Sequence, residues 1–367
     1  MSTELWRQDV MKLQTYVPGK SIEEVKKQFG LSEITRLASN ENPYGPSPKA
    51  VAAMQAAAAE SHLYPESTSA ELRAMLGEQY GVDSAQILIS NGADNVLMLI
   101  GQAYINAGDE VVYCVPTFPV YRTSTVMMGA VPVEIPLTGD HKFDLDRILG
   151  SINERTKLVY ICNPNNPTGT IVGDGELESF LRKVPSHVVV VLDEAYVEFV
   201  ELRDYRKGIE FIKKGYNVIS VHTFSKLYGL AAARIGYAIA PPEVLAPLLA
   251  VREPFPVSRM AVAAAIASLE DTEYRDFILA SNRDGLKYLQ REMTALGFDV
   301  PDSYSNFLFA DTKREAAPIV ESLLRAGFIV RPCKGWGYPN HIRVTVGSPE
   351  QNERFIAALA EIVTGQA

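Results

Sequence analysis

Between about residue 85 and residue 250 the chain repeats one pattern: a short β-branched run, a helical stretch, then another β-branched run. The runs are QILIS, EVVYCV, VPVEIP, KLVYIC, HVVVVLD, NVISVHTF and RIGYAIA. Most are apolar at successive positions rather than at alternate ones. A strand that is apolar on both faces must be covered on both faces, and strands separated by helices tend to run parallel. The pattern predicts an α/β fold with a mostly parallel sheet flanked by helices such as 95–105 and 176–183. Ligands of such sheets bind beyond the carboxyl ends of the strands, and the polar residues of this chain gather at those ends.

From Pro256 the pattern changes. Long helical stretches (260–269 and 276–296) precede SNFLFAD, a helix, FIVRP and HIRVTVG. A last helix opens with SPEQ, where Ser348 and Gln351 have the spacing of a capping box. These elements predict a smaller α+β domain at 256–367. Residues 1–35 are expected to pack on it as an arm, leaving 36–255 as the large domain. Thr68 and Glu71 predict a second capping box, opening a helix that runs to Tyr80 and stops at Gly81.

A chain of 367 residues with 47% hydrophobic content is large enough for this two-part plan. Its net charge of −9 argues against nucleic acid or an anionic membrane as partner. Cys114, Cys162 and Cys333 are odd in number, widely spaced and without a C-x-x-C pair. They argue against a disulfide framework or a zinc site, so no metal is expected, and they fit a reducing cytoplasm. The first twenty residues lack the basic start and apolar core of a signal peptide. Runs such as VVVVL are far shorter than the ~20 residues a membrane-spanning helix needs.

Four features at strand ends bear on chemistry. Lys226 follows the apolar run 218–224, a place where a solvated lysine is out of keeping. Asp193, in LDEAY, ends an entirely apolar strand, and an ionised carboxylate there needs a cationic partner. NPNNPTG (163–169) ends another strand with amides. SNGADN (90–95) closes a strand and opens a helix whose free N–H groups and dipole suit a phosphate, with Arg234 further along. An amine that forms an imine, a carboxylate for a ring cation, an amide for a ring oxygen and a phosphate cradle match the four handles of pyridoxal 5′-phosphate. Burial and nearby cations would leave some of the Lys226 amine neutral and nucleophilic, and Asp193 would keep the ring nitrogen protonated. Each feature has a plainer reading: a lysine after a strand is usually solvated, NPNNPTG is a fair turn, and Asp94 can cap a helix. Their joint occurrence, each at a strand end, favours the cofactor.

The motifs LASNENPYGPSPKA, YPE, NGAD, PTFPVY, NPNNPTGT, LDEAYVEF, TFSKLYGLAAARIGY, REPFPVS, SNFLFAD, FIVR and IRVTVG run nearly from end to end. With them the chain resembles the fold-type I pyridoxal-phosphate aminotransferases, and LASNENPYGPSP with IRVTVGS resembles their histidinol-phosphate branch. The resemblance implies that Lys226 carries the cofactor, that Asp193 faces the pyridine nitrogen, and that Asn166 and Tyr196 donate to the ring oxygen. Phe118 would stack on the ring. Ala93 and Asp94 (through backbone N–H), Thr223, Ser225 and Arg234 would bind the cofactor phosphate, joined by Tyr64 from the neighbouring subunit of a homodimer. Arg343 would bind the anionic end of the substrate, with Arg331, Tyr16 and Asn40 beside it. The implied reaction moves an amino group between glutamate/2-oxoglutarate and histidinol phosphate/imidazole-acetol phosphate, in histidine biosynthesis. Asn95 and Pro256 stand where relatives often carry glutamate and asparagine, and Pro256 bears on the substrate side. An aromatic-amino-acid aminotransferase and a decarboxylase remain alternatives on the same scaffold. A transcription regulator would need a helix-turn-helix module, for which the stretch before LASNENP is short.

Overall fold

The computed structural model describes residues 5–13, 15, 19–203, 205 and 207–365. Its strands, among the described residues, are β1 (Thr35–Leu37), β2 (Ile87–Ser90), β3 (Glu110–Val115), β4 (Val131–Pro136), β5 (Thr156–Cys162), β6 (Val189–Asp193), β7 (Val218–Thr223), β8 (Gly236–Ile239), β9 (Phe307–Asp311), β10 (Phe328–Pro332) and β11 (His341–Thr345). The seven apolar runs become one sheet in the order β2-β8-β7-β6-β5-β3-β4. From β7 to β4 all neighbours are parallel, while β8 is antiparallel to both β2 and β7. The reversal follows from the connection 224–235, which contains only the 3-10 turn Ala231–Ala233. A parallel return needs a crossover, usually a full helix.

Every residue of β6 and β7 is buried, whereas β4, at the edge, is largely exposed. Each fully buried Val or Leu contributes about 1.5–3 kcal/mol, so the central strands can offset the cost of charged groups at their ends. Register then aligns those ends: Cys162 on β5 lies opposite Asp193 on β6, and Asp193 lies opposite Val221 on β7. The loops carrying NPNNPTG, LDEAY and TFSK therefore leave the sheet side by side.

A second sheet, ordered β1-β10-β11-β9, is antiparallel except for the parallel pair β1–β10. Its core joins Leu308, Phe328, Val344 and Phe355 with Leu289 and Met293 of the helix Thr272–Ala295. The sequence-based boundary at 35/36 falls inside β1. The boundary at 255/256 falls just before helix Arg259–Glu270, whose Ala261, Ala264 and Ala265 belong to the core of the larger sheet.

The capping box at Ser348 and Gln351 is present. The one expected at Thr68 and Glu71 is not. That helix is capped by Ser69 with φ +52° and no side-chain bond, and spans Ala70–Tyr80 before Gly81 at φ +65°. Glu66 does the capping instead: its carboxylate accepts from the N–H groups of Thr68 (2.9 Å) and Ala70 (2.7 Å) and from the Thr68 hydroxyl (2.7 Å). Glu66 thus accepts the Thr68 N–H that Glu71 was expected to accept, and the Thr68 hydroxyl, expected to accept from the Glu71 N–H, donates to this ionised and therefore stronger acceptor instead. No helix among the described residues is long and apolar enough to cross a membrane.

Candidate active site

Lys226 leaves the end of β7 and lies half-buried in a cleft roofed by residues 38–41. Its Nζ donates to the Ser39 carbonyl at 3.2 Å and sits 5.7 Å from the centroid of the Tyr196 ring. Desolvation in the cleft, followed by the field of Arg343, pulls its pKa down to about 8. A sizeable fraction of the amine is therefore neutral near that pH and available as a nucleophile.

Asp193, at the end of β6, is 3% exposed. Its Oδ2 accepts from the Tyr121 hydroxyl at 2.6 Å and its Oδ1 from the Ala195 N–H at 3.2 Å. Burial pushes its pKa up to about 6, opposed by the Tyr121 hydrogen bond. Among the described residues Asp193 makes no ion pair. A buried carboxylate without an ion pair is costly, and a cation brought by a ligand would offset that cost.

Tyr196, Asn166, Asn40 and Arg343 form one network over the cleft. Asn40 Nδ2 donates to the Tyr196 hydroxyl at 2.9 Å, and Asn166 Nδ2 reaches the same oxygen at 3.4 Å. Arg343 donates to Asn166 Oδ1 and, at 2.6 Å, to the Ala38 carbonyl. Asn40 holds φ +56°, and its N–H donates to Thr345 Oγ1 at 2.9 Å. Residues of β11 and of the segment after β1 thus meet the strand ends of the larger sheet.

A cradle forms where β2 turns into helix Ala93–Tyr104. Gly92 caps this helix at φ +84°, and a Cβ there would lie 2.5 Å from the Arg234 guanidinium. Arg234, itself at φ +56°, approaches the Asp94 carboxylate at 3.7 Å. Thr223 and Ser225 are buried beside Lys226, their hydroxyls 2.9 Å apart. Helix N–H groups, two hydroxyls and a guanidinium suit an anion.

Of the other expected residues, Phe118 meets Tyr121 edge-on with centroids 6.0 Å apart. Arg331 lies opposite Arg343 across β10 and β11. Tyr64 stands apart: it is 79% exposed and stacked on Phe255 at 4.6 Å. Tyr16 lies outside the described residues.

Comparison with known proteins gives the assembly a family. The model for class I and II aminotransferases matches residues 32–359. The chain belongs to this family. It is 42% identical over 358 residues to the histidinol-phosphate aminotransferase of Moorella thermoacetica, covering 97% of this chain and 92% of the other. The enzyme of that name from Bacillus subtilis (strain 168) is 42% identical over 357 residues, covering 97% and 99%. The crystal structure of histidinol-phosphate aminotransferase from Sinorhizobium meliloti in complex with pyridoxal-5′-phosphate superposes with a TM-score of 0.90. It is 29% identical and covers 100% of this chain and 99% of that one.

Several residues of this aminotransferase cleft had no sequence assignment. Tyr121 lies in PTFPVY but is three residues past Phe118, and only the fold turns its hydroxyl onto Asp193 while stacking its ring on Tyr160 at 4.6 Å. Thr345, in IRVTVG, holds Asn40. Glu41, bonded to Arg36, lends its negative field to Lys226. Glu194, beside Asp193, faces the other way: it accepts from the Gly208 N–H and from the Ser220 hydroxyl, and burial pushes its pKa up to about 7. The adjacent carboxylates of LDEAY thus have separate tasks, Asp193 in the cleft and Glu194 tying β6 to β7 and the helix from Gly208.

Proposed function

We propose that the chain is a pyridoxal 5′-phosphate-dependent transaminase acting on glutamate and imidazole-acetol phosphate to give 2-oxoglutarate and histidinol phosphate. The observation that carries the cofactor reading is Asp193: a carboxylate 3% exposed, without an ion pair among the described residues, yet near enough to Lys226 for that amine's charge to act on it. A pyridinium N–H supplies the missing cation. The donor set fits the remaining groups, with the cradle of Ala93, Asp94, Thr223, Ser225 and Arg234 for the phosphate, Asn166 and Tyr196 for the ring oxygen, and Phe118 for the ring face.

When bound, the cofactor supplies an electron sink for the pair of electrons left on a substrate carbon that loses a proton. The chain's own residues do the rest. Lys226, with its pKa near 8, can attach the cofactor and can accept and return a proton at Nζ. Burial holds the Tyr196 phenol protonated, so it donates a hydrogen bond. Arg343, fixed by Asn166 and the Ala38 carbonyl, offers a planar fork to an anionic substrate end. Arg331 opposite it adds the second charge that a phosphate dianion calls for. Asn40 and Tyr16 are assigned to the same substrate end.

The same proposal covers assembly and organisation. Tyr64 and Phe255 present a stacked aromatic pair to water, which favours burial against a second copy, where Tyr64 would reach the partner's phosphate. The two apolar cores support a large cofactor domain and a small domain that takes in β1. A cytoplasmic setting agrees with three free, buried cysteines.

The test is a set of half-reactions. The cofactor-loaded enzyme is mixed separately with histidinol phosphate, glutamate, phenylalanine and tyrosine while the cofactor absorbance is followed. The proposal expects histidinol phosphate to give the highest kcat/KM. Preference for phenylalanine or tyrosine would replace it with the aromatic reading.

A further inference from the structure

The two arginines assigned to the substrate anion create an electrostatic problem. Arg331 and Arg343 are direct partners in the antiparallel pair β10–β11, so their side chains leave the same face of the sheet. Like charges in that relation repel. Between the two strands the chain makes the 3-10 turn Lys334–Trp336, closed by Trp336 N–H (2.9 Å) and Tyr338 N–H (3.2 Å), both donating to the Cys333 carbonyl. Gly337 takes φ +84°, a conformation that glycine adopts without a Cβ penalty. The turn brings the half-buried indole of Trp336 to both cations: its ring centroid lies 5.5 Å from Arg331 Cζ and 5.6 Å from Arg343 Cζ. Both distances are within cation–π range. Arg343 is also held by Asn166, the Ala38 carbonyl and the Phe307 ring at 5.2 Å. The indole is thus a contact that the two guanidiniums share.

We propose that Trp336 is a positioning residue that holds Arg331 and Arg343 at one spacing, and that this spacing sets the preference of the site for a phosphate dianion over a carboxylate. The proposal rests on the reading of the two arginines as the anchor for the substrate's anionic end. The indole face offsets part of the repulsion between the cations, so they can converge before any anion arrives. A tetrahedral dianion can accept from both forks at once, whereas a carboxylate is satisfied by one.

The experiment has two arms, both on the cofactor-loaded enzyme, in which the cofactor's own phosphate fills the cradle near Arg234. In the first, the Trp6→Phe variant leaves Trp336 as the one tryptophan of the chain, and inorganic phosphate is titrated against its fluorescence. A saturable change that Arg331→Ala weakens supports the proposal, and no change on phosphate binding overturns it. In the second, Trp336→Leu and Trp336→Phe are compared by steady-state kinetics. Trp336→Leu should lower kcat/KM for histidinol phosphate about 5- to 30-fold relative to glutamate, through KM with kcat held. Trp336→Phe, which keeps an aromatic face, should recover most of it. Equal losses on both substrates, or none, in Trp336→Leu while Arg331→Ala and Arg343→Ala still impair phosphate binding overturns the role of Trp336 alone. Phosphate binding that survives both arginine changes overturns the arginine assignment as well.

Discussion

Asp193→Asn should have opposite effects on the cofactor-free and cofactor-loaded protein. In the free chain Asp193 is a buried carboxylate, and burial lifts its pKa from the ordinary 3.8 to about 6. A group whose folded pKa is raised gives its full stability contribution below the unfolded value, and that contribution is lost as pH rises through the folded value. A difference of about 2 units at 1.36 kcal/mol each makes the ionised carboxylate cost roughly 3 kcal/mol at pH 8, and about half of that at pH 5. Asparagine keeps the shape and removes the charge: its Oδ1 can still accept from the Ala195 N–H, while its Nδ2, standing in place of Oδ2, donates to the Tyr121 oxygen once that hydroxyl turns its proton away. Cofactor-free Asp193→Asn should therefore resist urea better than the parent at pH 8, by roughly 1–3 kcal/mol, with the gain shrinking toward pH 4. With cofactor bound the order should reverse: an amide cannot balance a pyridinium, so cofactor affinity falls and kcat drops by a factor on the order of 10² or more. Urea midpoints and m-values across that pH range, with and without cofactor, decide the matter. A free Asp193→Asn chain that is less stable at pH 8, or a difference that does not vary with pH, would refute the view of Asp193 as an unneutralised charge awaiting a cation.

Further outcomes are expected at the other residues. Borohydride reduction of the loaded enzyme should fix the cofactor on the peptide containing Lys226, and Lys226→Ala should abolish turnover while the chain remains folded; label on another lysine counts against the assignment. Because only the neutral amine adds to an aldehyde, the rate of cofactor attachment should rise with pH to a plateau above about 8, and Arg343→Ala, which removes a field lowering the Lys226 pKa, should move that limb to higher pH. Arg331→Ala should lower kcat/KM for histidinol phosphate more than for glutamate, by roughly 2–3 kcal/mol or ~30- to 150-fold, whereas Arg343→Ala should impair every substrate. Mixing inactive Lys226→Ala chains with weakened Tyr64→Phe chains should regenerate activity above either parent after subunit exchange; a fully active monomer rules out a shared site.

The sequence by itself determined the layered plan. Runs such as KLVYIC, HVVVVLD and NVISVHTF have no polar face, so they could be stable only between two layers of helix, and polar residues had to collect where the runs end. That made Lys226, Asp193 and the amides of NPNNPTG legible as candidates, because a charged or amide group at the end of an apolar strand is out of place without a partner; the choice of Asn166 among those amides came from the resemblance. Local signals also sufficed where donor and acceptor are close in sequence, as at Ser348 and Gln351, but misled at Thr68, whose N–H and hydroxyl both go to Glu66 instead of pairing with Glu71. Tertiary structure alone decided which distant groups meet. Tyr121 reaches Asp193 across 72 positions, Asn40 reaches Tyr196 across 156, and Arg343 reaches Asn166 across 177. Periodicity shows only which face a side chain takes within its own element. Arg331 and Arg343 become one cationic site through strand register, and the indole of Trp336 joins them through the turn between β10 and β11. Registers and turns of that kind are fixed by the packing of whole elements, and the 3.8 Å steps of the chain carry no record of them.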